Sequence, residues 1–503
     1  MLSIVKSASL IGIDATDITI EVDSRHGGLP GEAIVGLPDA VIRESKNRIK
    51  SALKNSGFQY PCNFYTINLA PAELPKEGPF FDVPIAIGLL QATRQLPQTE
   101  GCLFVGELSL NGDIQAIRGA ISICHMAAKK GYQKVFIPYE NGLESSLIQG
   151  IEIIRVKTLK DIQTVLDGGK LDYPAQELCE TNTPYTHDYS EVKGQLSGKR
   201  VMEIAAAGHH NVLLIGPPGS GKTMLLKRLP TILPDMTMDE AIETFKLRSI
   251  SNKLGKNIAF SLKRPFRNPH HSISYAGLVG GGSNPTPGEI SLSHNGVLFL
   301  DELPEFPRAV LEVLRQPLED KKVTISRANM AIEYPAHCLF IAAMNPCPCG
   351  YFRDTKTPCT CHKDQIKKYW KKISGPILDR IDLILEIPRL TQDDMGPNPE
   401  TQNIYTSEHM KARVDQARTR QYNRLKNPKP NTLLTPHEIT KHCTLTQETR
   451  HFLGQAIDKG LLTGRSYDKV IKVARTIADL EDKPQIELGH VCEALQYRKT
   501  GLE

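Results

Sequence analysis

Residues 216–223, GPPGSGKT, constrain the fold of this chain more than any other stretch. A short apolar run, residues 212–215, precedes them and favours a buried parallel strand, and residues 224–229 favour the start of a helix. A strand, a glycine-rich turn and a helix in this order form a phosphate-binding P-loop, because backbone N–H groups and the helix N-terminus then face phosphate oxygens. A chance glycine-rich turn is the alternative, which the Gly-Lys-Thr ending disfavours. We therefore expect a nucleotide-binding α/β core.

The predicted ATP site draws on the P-loop and on a second strand. The P-loop residues expected to bind the nucleotide are Gly216, Pro217, Pro218, Gly219, Ser220, Gly221, Lys222 and Thr223. Lys222 should contact the β- and γ-phosphates, while the Thr223 hydroxyl should ligate Mg²⁺. The apolar run 297–300 ends in Asp301 and Glu302, which suit Mg²⁺ binding and general-base activation of water, respectively. An exposed acidic turn after a strand is the alternative.

Bulk composition places few limits on the partners of this chain. Its 503 residues suffice for roughly two to four domains. A hydrophobic fraction of 40% and a net charge of +5 are ordinary for a soluble globular protein, so only local basic patches would indicate a nucleic-acid partner. No apolar run reaches the roughly 18 residues of a membrane span, and the N-terminus lacks the pattern of a secretory signal. We expect a cytoplasmic protein without a membrane partner, in which the scattered cysteines are free thiols.

Residues 1–167 predict a separate α/β module. Within it, residues 71–82 (PAELPKEGPFFD) and 106–120 resemble the proteolytic domain of Lon-type proteases. At the positions of that family's catalytic Ser and Lys, this chain has Phe80 and Ile121. Because a Ser/Lys dyad needs both its nucleophile and its base, the resemblance implies a Lon-like fold without protease activity, which serves as a binding or ring-forming platform.

The rest of the chain predicts a linker, residues 168–192, and an ATPase core, residues 193–400, followed by a helical lid, residues 401–503. Within the core, residues 339–344 form a strand that ends at Asn345, which matches the sensor 1 position of AAA+ ATPases. In that family, a polar residue at this position helps to orient the attacking water.

Two arginines resemble further AAA+ features. Residues 375–382 resemble the segment that carries the arginine finger, so Arg380 would reach the γ-phosphate bound by a neighbouring subunit, which implies a hexameric ring. Arg465 opens a predicted helix and matches the sensor 2 arginine of the lid. A surface ion pair is the alternative for each arginine.

Two insertions resemble the magnesium-chelatase and MCM-helicase branch of the AAA+ ATPases. Residues 264–290 resemble its helix-2 insert, and residues 323–334 resemble its pre-sensor-1 hairpin. In MCM-type rings both hairpins contact DNA, so Lys321, Lys322 and Arg327 are candidate phosphate contacts, with a solvated surface charge as the alternative for each. The first insert also contains His270 and His271, for which we expect a structural or pore role, because no acid or Cys lies at partner spacing.

Four clustered cysteines follow Asn345 in a predicted insertion of about residues 346–365. They form two C-x-C pairs, namely Cys347 with Cys349 and Cys359 with Cys361. Four thiolates at this spacing can hold one tetrahedral Zn²⁺, in which His362 could replace one cysteine, and unligated thiols are the alternative.

A basic segment follows the cysteines directly. Lys367 and Lys368 stand among further lysines beside Tyr369 and Trp370. Positive charge and aromatic rings next to a zinc site are typical of nucleic-acid binding. A solvated helix face whose aromatic residues pack inward is the alternative.

Taken together, the Lon-like module, the P-loop, residues 265–272 (PFRNPHHS), residues 342–350 (AAMNPCPCG) and residues 464–480 resemble the YifB/ComM family of magnesium-chelatase-like AAA+ ATPases over nearly the whole chain. The resemblance implies a hexameric DNA helicase that uses ATP and Mg²⁺ and acts on single-stranded and branched DNA. It would promote branch migration after a recombinase has paired incoming DNA with the chromosome, as in natural transformation. The residues alone indicate an ATPase, for which a chelatase-type motor or a regulatory scaffold stays open.

Overall fold

The structure is a computed structural model that describes residues 2–25, 31–60, 63–74, 76, 78–174, 185–251, 261–282, 285–327, 330–391, 404–459 and 462–498. The chain divides into two compact units. The N-terminal unit contains Met1–Thr181 and Met238–Ser261, and the P-loop unit contains Asn182–Thr237 and Leu262–Glu503. Among the described residues, no helix combines the length and the apolar character that crossing a bilayer requires.

A mixed seven-stranded sheet forms the centre of the N-terminal unit. Its strands, in spatial order, are Gly31–Val35, Phe64–Ala70, Asp14–Arg25, Leu2–Ile11, Cys102–Phe104, Lys134–Pro138 and Glu152–Val156. Asp14–Arg25 pairs antiparallel with both of its neighbours, while the other pairs are parallel. Ile18, Ile20 and Val22 alternate with polar residues, and all three are fully buried, as expected of a strand with one face in the core.

Helices pack around this sheet, and consecutive residues of its strand Lys134–Pro138 are buried. The helices are Ala40–Asn55, Asp82–Ala92, Ala120–Lys129, Gly142–Ser145, Leu159–Leu166 and Met238–Ile250. Ala40–Asn55 begins after Asp39, whose carboxylate accepts the Ile42 N–H at 2.7 Å and caps the helix. Every residue of Asp82–Ala92 is buried, which explains its almost continuous apolar sequence.

The last of these helices departs from the sequence prediction. Met238–Ile250 lies within the predicted core of residues 193–400, but it packs in the N-terminal unit. There Lys246 Nζ forms an ion pair with Asp14 at 3.0 Å, and Ser249 Oγ accepts the Gly119 N–H at 2.9 Å. Sequence patterns show which segments are helical but not which unit buries them. The predicted core is therefore one continuous range, residues 193–400, that includes this helix.

The structure describes both ends of the predicted linker, residues 168–192. Residues 175–184 lie outside the described residues. Before them, the Tyr173 hydroxyl donates to Asp161 at 2.6 Å in the N-terminal unit. After them, Tyr189 is fully buried in the P-loop unit and donates its hydroxyl to the Leu225 carbonyl at 2.9 Å. The two ends of the predicted linker therefore belong to packed units.

Five parallel strands form the main sheet of the P-loop unit. In spatial order they are Phe266–Arg267, Val297–Leu300, Leu339–Met344, Val212–Ile215 and Leu383–Glu386. Val212–Ile215, which leads into the P-loop, pairs with Leu339–Met344 on one side and Leu383–Glu386 on the other. Because all strands run in one direction, the residues that follow them gather at one edge of the sheet.

The remaining elements of the P-loop unit surround this sheet. The helices up to residue 378 are Leu196–Gly208, Lys222–Arg228, Tyr275–Val279, Glu289–Leu292, Arg308–Val313, Arg315–Asp320, Lys363–Trp370 and Gly375–Leu378. The later helices, in the predicted lid, are Ser407–Leu425, Pro436–His442, Gln447–Asp458, Gly464–Leu480 and Leu488–Gln496. Lys322–Arg327 and Met330–Pro335 form a separate antiparallel pair, which we call the hairpin and whose turn residues 328–329 lie outside the described residues.

Candidate nucleotide site and cysteine cluster

The P-loop has the backbone shape that its glycines predict. Gly219 and Gly221 have φ values of 76° and 89°, which side-chain-bearing residues rarely adopt. No atom lies within 4 Å of a Cβ placed on either residue, so backbone conformation rather than crowding requires glycine there.

Lys222 begins the helix Lys222–Arg228 and points back along the loop. Its Nζ donates to the carbonyls of Gly216 at 2.8 Å and Pro217 at 2.9 Å and lies 3.4 Å from Asn345 Oδ1. Burial lowers the pKa of Lys222 to about 8, although Asp301 and Glu302 oppose this shift. Phosphate oxygens would favour the charged ammonium, so the arrangement suits an anionic ligand.

Thr223, in the helix Lys222–Arg228, meets Asp301, which directly follows the strand Val297–Leu300. Thr223 Oγ1 donates to Asp301 Oδ2 at 2.9 Å. A hydroxyl and a carboxylate oxygen at this separation are the hard ligands that Mg²⁺ prefers, so these two residues fit the predicted role of holding the ion beside the phosphates. When bound, Mg²⁺ would neutralise charge that develops on the phosphate oxygens.

Glu302 lies beside this pair and is accessible to water. Its backbone is left-handed, with φ 53°, and its side chain is 60% exposed. His271 Nδ1 lies 3.8 Å from Glu302 Oε2, a proximity that sequence analysis missed. The PFRNPHHS segment was the available signal, but spacing along the chain does not show that it returns to the second acidic residue.

These side chains together can bind and hydrolyse a nucleoside triphosphate. In the predicted roles, Lys222 would bind phosphate oxygens, Glu302 would accept a proton from the attacking water, and Asn345 would help to orient that water. All three follow the ends of parallel strands or the P-loop itself, so the sheet fixes their mutual positions.

Of the two arginines of the sequence prediction, the structure describes the side chain of Arg380. Arg380 donates to the Pro376 carbonyl and pairs with Glu319 of the same chain. It lines a cavity of about 380 Å³ together with Lys469 and Arg498. Arg465 is the second residue of Gly464–Leu480, but its side chain lies outside the described residues.

The four clustered cysteines converge in space. Their Sγ atoms all lie within 4.8 Å of one another, and the Cys347–Cys349, Cys347–Cys359 and Cys349–Cys359 pairs are separated by 3.3, 3.7 and 3.5 Å. A tetrahedral zinc with Zn–S bonds of about 2.3 Å requires sulfurs about 3.8 Å apart. The cluster therefore fits one structural zinc ion, which would be held by Cys347, Cys349, Cys359 and Cys361.

The predicted DNA contacts of the hairpin differ in exposure. Lys321 Nζ donates to the Leu318 carbonyl, and burial lowers the pKa of Lys321. Lys322 is partly exposed but forms an ion pair with Glu333 at 2.7 Å. The side chain of Arg327 lies outside the described residues. Within the described part of the hairpin, no lysine is therefore fully open to a phosphate.

The helix Lys363–Trp370, which we call the basic helix, separates its charges from its aromatic rings. Lys367 and Lys368 are exposed, whereas Tyr369 and Trp370 are 7% and 6% exposed. Trp370 Nε1 donates to the Pro346 carbonyl at 3.0 Å. The alternative with inward aromatic residues is therefore the observed one, and these rings do not offer a stacking surface for bases.

Comparisons with known proteins agree with this organisation. The family described as magnesium chelatase, subunit ChlI, matches residues 188–395, and its C-terminal region matches residues 405–498. A model described as subunit ChlI of Mg-chelatase matches residues 20–141. The regions that match the ATPase family, residues 188–395 and 405–498, thus lie mainly in the P-loop unit.

Relatives cover both the whole chain and the N-terminal unit. Competence protein ComM of Haemophilus influenzae is 43% identical over 505 residues, which span 99% of this chain and 97% of that protein. YifB of Escherichia coli is 42% identical over 504 residues, with the same coverage. Lon protease 2 of Bacillus subtilis is 35% identical over 142 residues, or 27% of this chain and 26% of that protease.

These matches confirm the predicted fold class, an AAA+ core with a helical C-terminal domain preceded by a Lon-like module. They also support ATPase activity at the P-loop. With more than 40% identity along nearly its entire length, this chain belongs to the YifB/ComM family of magnesium-chelatase-like AAA+ ATPases.

Proposed function

We propose that this chain couples ATP hydrolysis to movement along single-stranded and branched DNA. In this role it acts as a helicase that promotes branch migration during natural transformation, after a recombinase has paired incoming DNA with the chromosome. The similarity to a competence protein over 99% of the chain supports the biological setting. The arrangement of Lys222, Thr223, Asp301, Glu302 and Asn345 supports the energy source.

The exposed charge of the basic helix is the observation that carries the DNA proposal. The exposed lysines of this helix are Lys363, Lys367 and Lys368, and the exposed Lys371 directly follows the helix. Because the aromatic residues of this helix are buried, the surface would bind phosphates rather than stack on bases. Binding without sequence preference is what movement along DNA requires.

The assembly proposed for this function is a homo-hexameric ring. Arg380 would leave Glu319 and reach the γ-phosphate bound by a neighbouring copy, as an arginine finger does. Mixing Arg380→Ala subunits with wild-type subunits should therefore reduce ATPase activity more than in proportion to the mutant fraction. A strictly proportional decrease would show that Arg380 does not act in trans.

The test of the DNA proposal measures ATPase activity with and without DNA, and strand displacement on a three-stranded branched DNA. We expect DNA to stimulate hydrolysis and ATP to drive displacement. The double variant Lys367→Ala/Lys368→Ala should weaken DNA binding and reduce the slope of log affinity against log salt by about 1 to 2. Lys441→Ala/Lys459→Ala, which removes the same charge from exposed sites in the lid, is the matched control.

The family match to magnesium chelatase favours a second candidate, a chelatase-type motor that acts with partner subunits. The same assay separates the two functions. If neither single-stranded nor branched DNA raises the ATPase rate, the DNA proposal is wrong and the chelatase-type motor is the better assignment.

A further inference from the structure

The segment that carries the four cysteines touches the P-loop. We call residues 346–362 the cysteine loop. Gly350 in this loop has φ 88°, and a Cβ placed on it would lie 2.6 Å from Cδ and 2.8 Å from Cγ of Pro218. Such distances do not occur for real Cβ atoms, so only glycine allows the cysteine loop to approach the P-loop this closely.

A second contact joins the start of the cysteine loop to the basic helix. Trp370 is 6% exposed and donates its Nε1–H to the Pro346 carbonyl at 3.0 Å. Pro346 lies between Asn345, whose Oδ1 is 3.4 Å from Lys222 Nζ, and Cys347. The hydrogen-bonded carbonyl belongs to the peptide group between Pro346 and Cys347, and Asn345, the predicted water-orienting residue, directly precedes Pro346.

The cysteine loop has little regular structure of its own. Residues 346–362 contain turns and bends but neither a helix nor a strand, and all of them are described. A loop of this length ordered without secondary structure usually serves a function. The converging cysteines are one constraint on this loop, and the backbone N–H groups of Cys349 and Cys361 also face sulfurs of the cluster, each at 3.4 Å.

We propose that Gly350 and Trp370 are positioning residues of the ATP site. Gly350 holds the cysteine loop against Pro218, and Trp370 holds the peptide between Asn345 and Cys347. The shape of the cysteine cluster, once closed by a metal ion, thereby sets the positions of the P-loop and of Asn345. The cluster serves nucleotide hydrolysis in addition to any contact with DNA.

This inference rests on ATP hydrolysis at the P-loop and not on the proposed action on DNA. All assays that test it are performed without DNA, so that its failure and the failure of the DNA proposal remain distinguishable. The metal content is measured in every variant, because the proposal concerns proteins that retain the metal.

The first experiment compares two glycine substitutions. Gly350→Ala places a methyl group against Pro218, whereas Gly150→Ala, at a glycine with a similar φ of 83°, meets no atom within 4 Å and is the matched control for backbone strain. We expect Gly350→Ala to retain one zinc per chain, while kcat falls at least tenfold and KM for ATP rises relative to Gly150→Ala. The double variant Gly350→Ala/Pro218→Ala should recover part of this loss, because it removes the ring that the methyl group meets.

A second variant tests the other contact. Trp370→Phe preserves most of the ring packing but removes the N–H that Pro346 accepts. We expect a roughly threefold to tenfold decrease in kcat with unchanged zinc content. Turnover within twofold of wild type for both Gly350→Ala and Trp370→Phe, with zinc retained, would overturn the proposal.

A measurement on the unaltered protein covers the case in which a variant does not fold. Trp370 is the only tryptophan of the chain, and it lines a cavity of about 380 Å³ together with Pro346, Gly216 and Pro217. Its fluorescence should change when a non-hydrolysable ATP analogue binds. Removal of zinc by a chelator should raise the Kd of the analogue at least tenfold, and added zinc should restore it. An unchanged Kd after zinc removal contradicts the proposal.

Discussion

Lys222 of the P-loop unit and Ile121 of the N-terminal unit occupy positions where enzymes related to each unit place a functional lysine. Lys222 is partly exposed, and its ammonium contacts two carbonyls and Asn345. Ile121 is fully buried in the helix Ala120–Lys129 and belongs to the core of its unit. Phe80, at the position of the Lon nucleophile, packs against Phe81 with ring centroids 4.8 Å apart.

The N-terminal unit contains buried charged residues, among them Asp82 and Lys76, that form hydrogen bonds within the unit. Asp82 is 1% exposed and accepts two hydrogen bonds from Arg48, at 2.9 and 3.2 Å, and a third from the Leu108 N–H. The fully buried Lys76 donates to the Pro71 carbonyl. In the P-loop unit, by contrast, the acidic residue assigned as the base, Glu302, faces water. These two buried charges of the N-terminal unit are thus bound by groups of the protein, whereas the Glu302 carboxylate of the P-loop unit remains accessible to water.

The largest effect, on the free energy of unfolding, is expected when Ile121 is replaced by the lysine that Lon proteases have at this position. Ile121→Lys places an ammonium at a fully buried position and should lower the free energy of unfolding by more than about 4 kcal/mol, because desolvation of a charge is costly. The matched control Ile121→Leu should cost less than about 1.5 kcal/mol. Urea denaturation followed by far-UV circular dichroism measures both. A folded Ile121→Lys protein of wild-type stability would mean that this position still tolerates a catalytic lysine.

Removal of the lysine from the P-loop should affect activity rather than stability. Lys222→Ala deletes the ammonium that would bind the phosphates, so ATP turnover should fall by about 100-fold or more, which corresponds to roughly 3 kcal/mol. Lys227→Ala, at an exposed site of the same helix, is the matched control and should retain activity. Zinc content and the melting temperature should stay unchanged. Residual activity above a tenth of wild type contradicts the assigned role.

The difference between the units also determines how much the sequence could predict. The P-loop residues, Asp301 and Asn345 follow short apolar strands, and parallel strands bring their ends together, so local patterns sufficed for them. The packing of Met238–Ile250 in the other unit and the approach of His271 to Glu302 depend on tertiary contacts between distant segments. No local pattern encodes such contacts, and they could not be predicted from a single sequence.

Acid should weaken the P-loop unit through its buried histidines. His209 and His337 lie with ring centroids 4.6 Å apart. Burial lowers the pKa of His337 to about 3, with Lys321 adding to the shift, and lowers the pKa of His209 well below 6.5. Histidines of the unfolded chain titrate near 6.5, so the stability from the neutral rings is complete above that pH and is lost as the pH falls below it. At pH 5, His337 alone should remove about 2 kcal/mol.

In the N-terminal unit, Asp82 should change the stability in the opposite direction as the pH falls. Burial raises the pKa of Asp82 to about 6, although Arg48 opposes the shift. The folded carboxyl therefore takes up its proton at a higher pH than the unfolded one, and this group favours folding as the pH falls from about 6 to 4.

Urea denaturation at pH 7 and pH 5 tests the contrast, with Trp370 fluorescence reporting on the P-loop unit alone. Equal midpoints for that signal at both pH values would contradict the histidine prediction, and His337→Gln should reduce the difference.

The smallest effect is expected from restoring only the nucleophile of the Lon-like module. Phe80→Ser removes a partly buried ring and its contact with Phe81, so the free energy of unfolding should decrease by about 1 kcal/mol. The new hydroxyl would still lack a base, because Ile121 occupies the position of the Lon lysine, and a casein-type substrate should remain uncut. Phe80→Leu, which restores apolar volume without a hydroxyl, is the control for stability. Cleavage by the serine variant but not by the leucine variant would show that the N-terminal unit retains a working base elsewhere, and the contrast between the two units would then be one of a missing nucleophile alone.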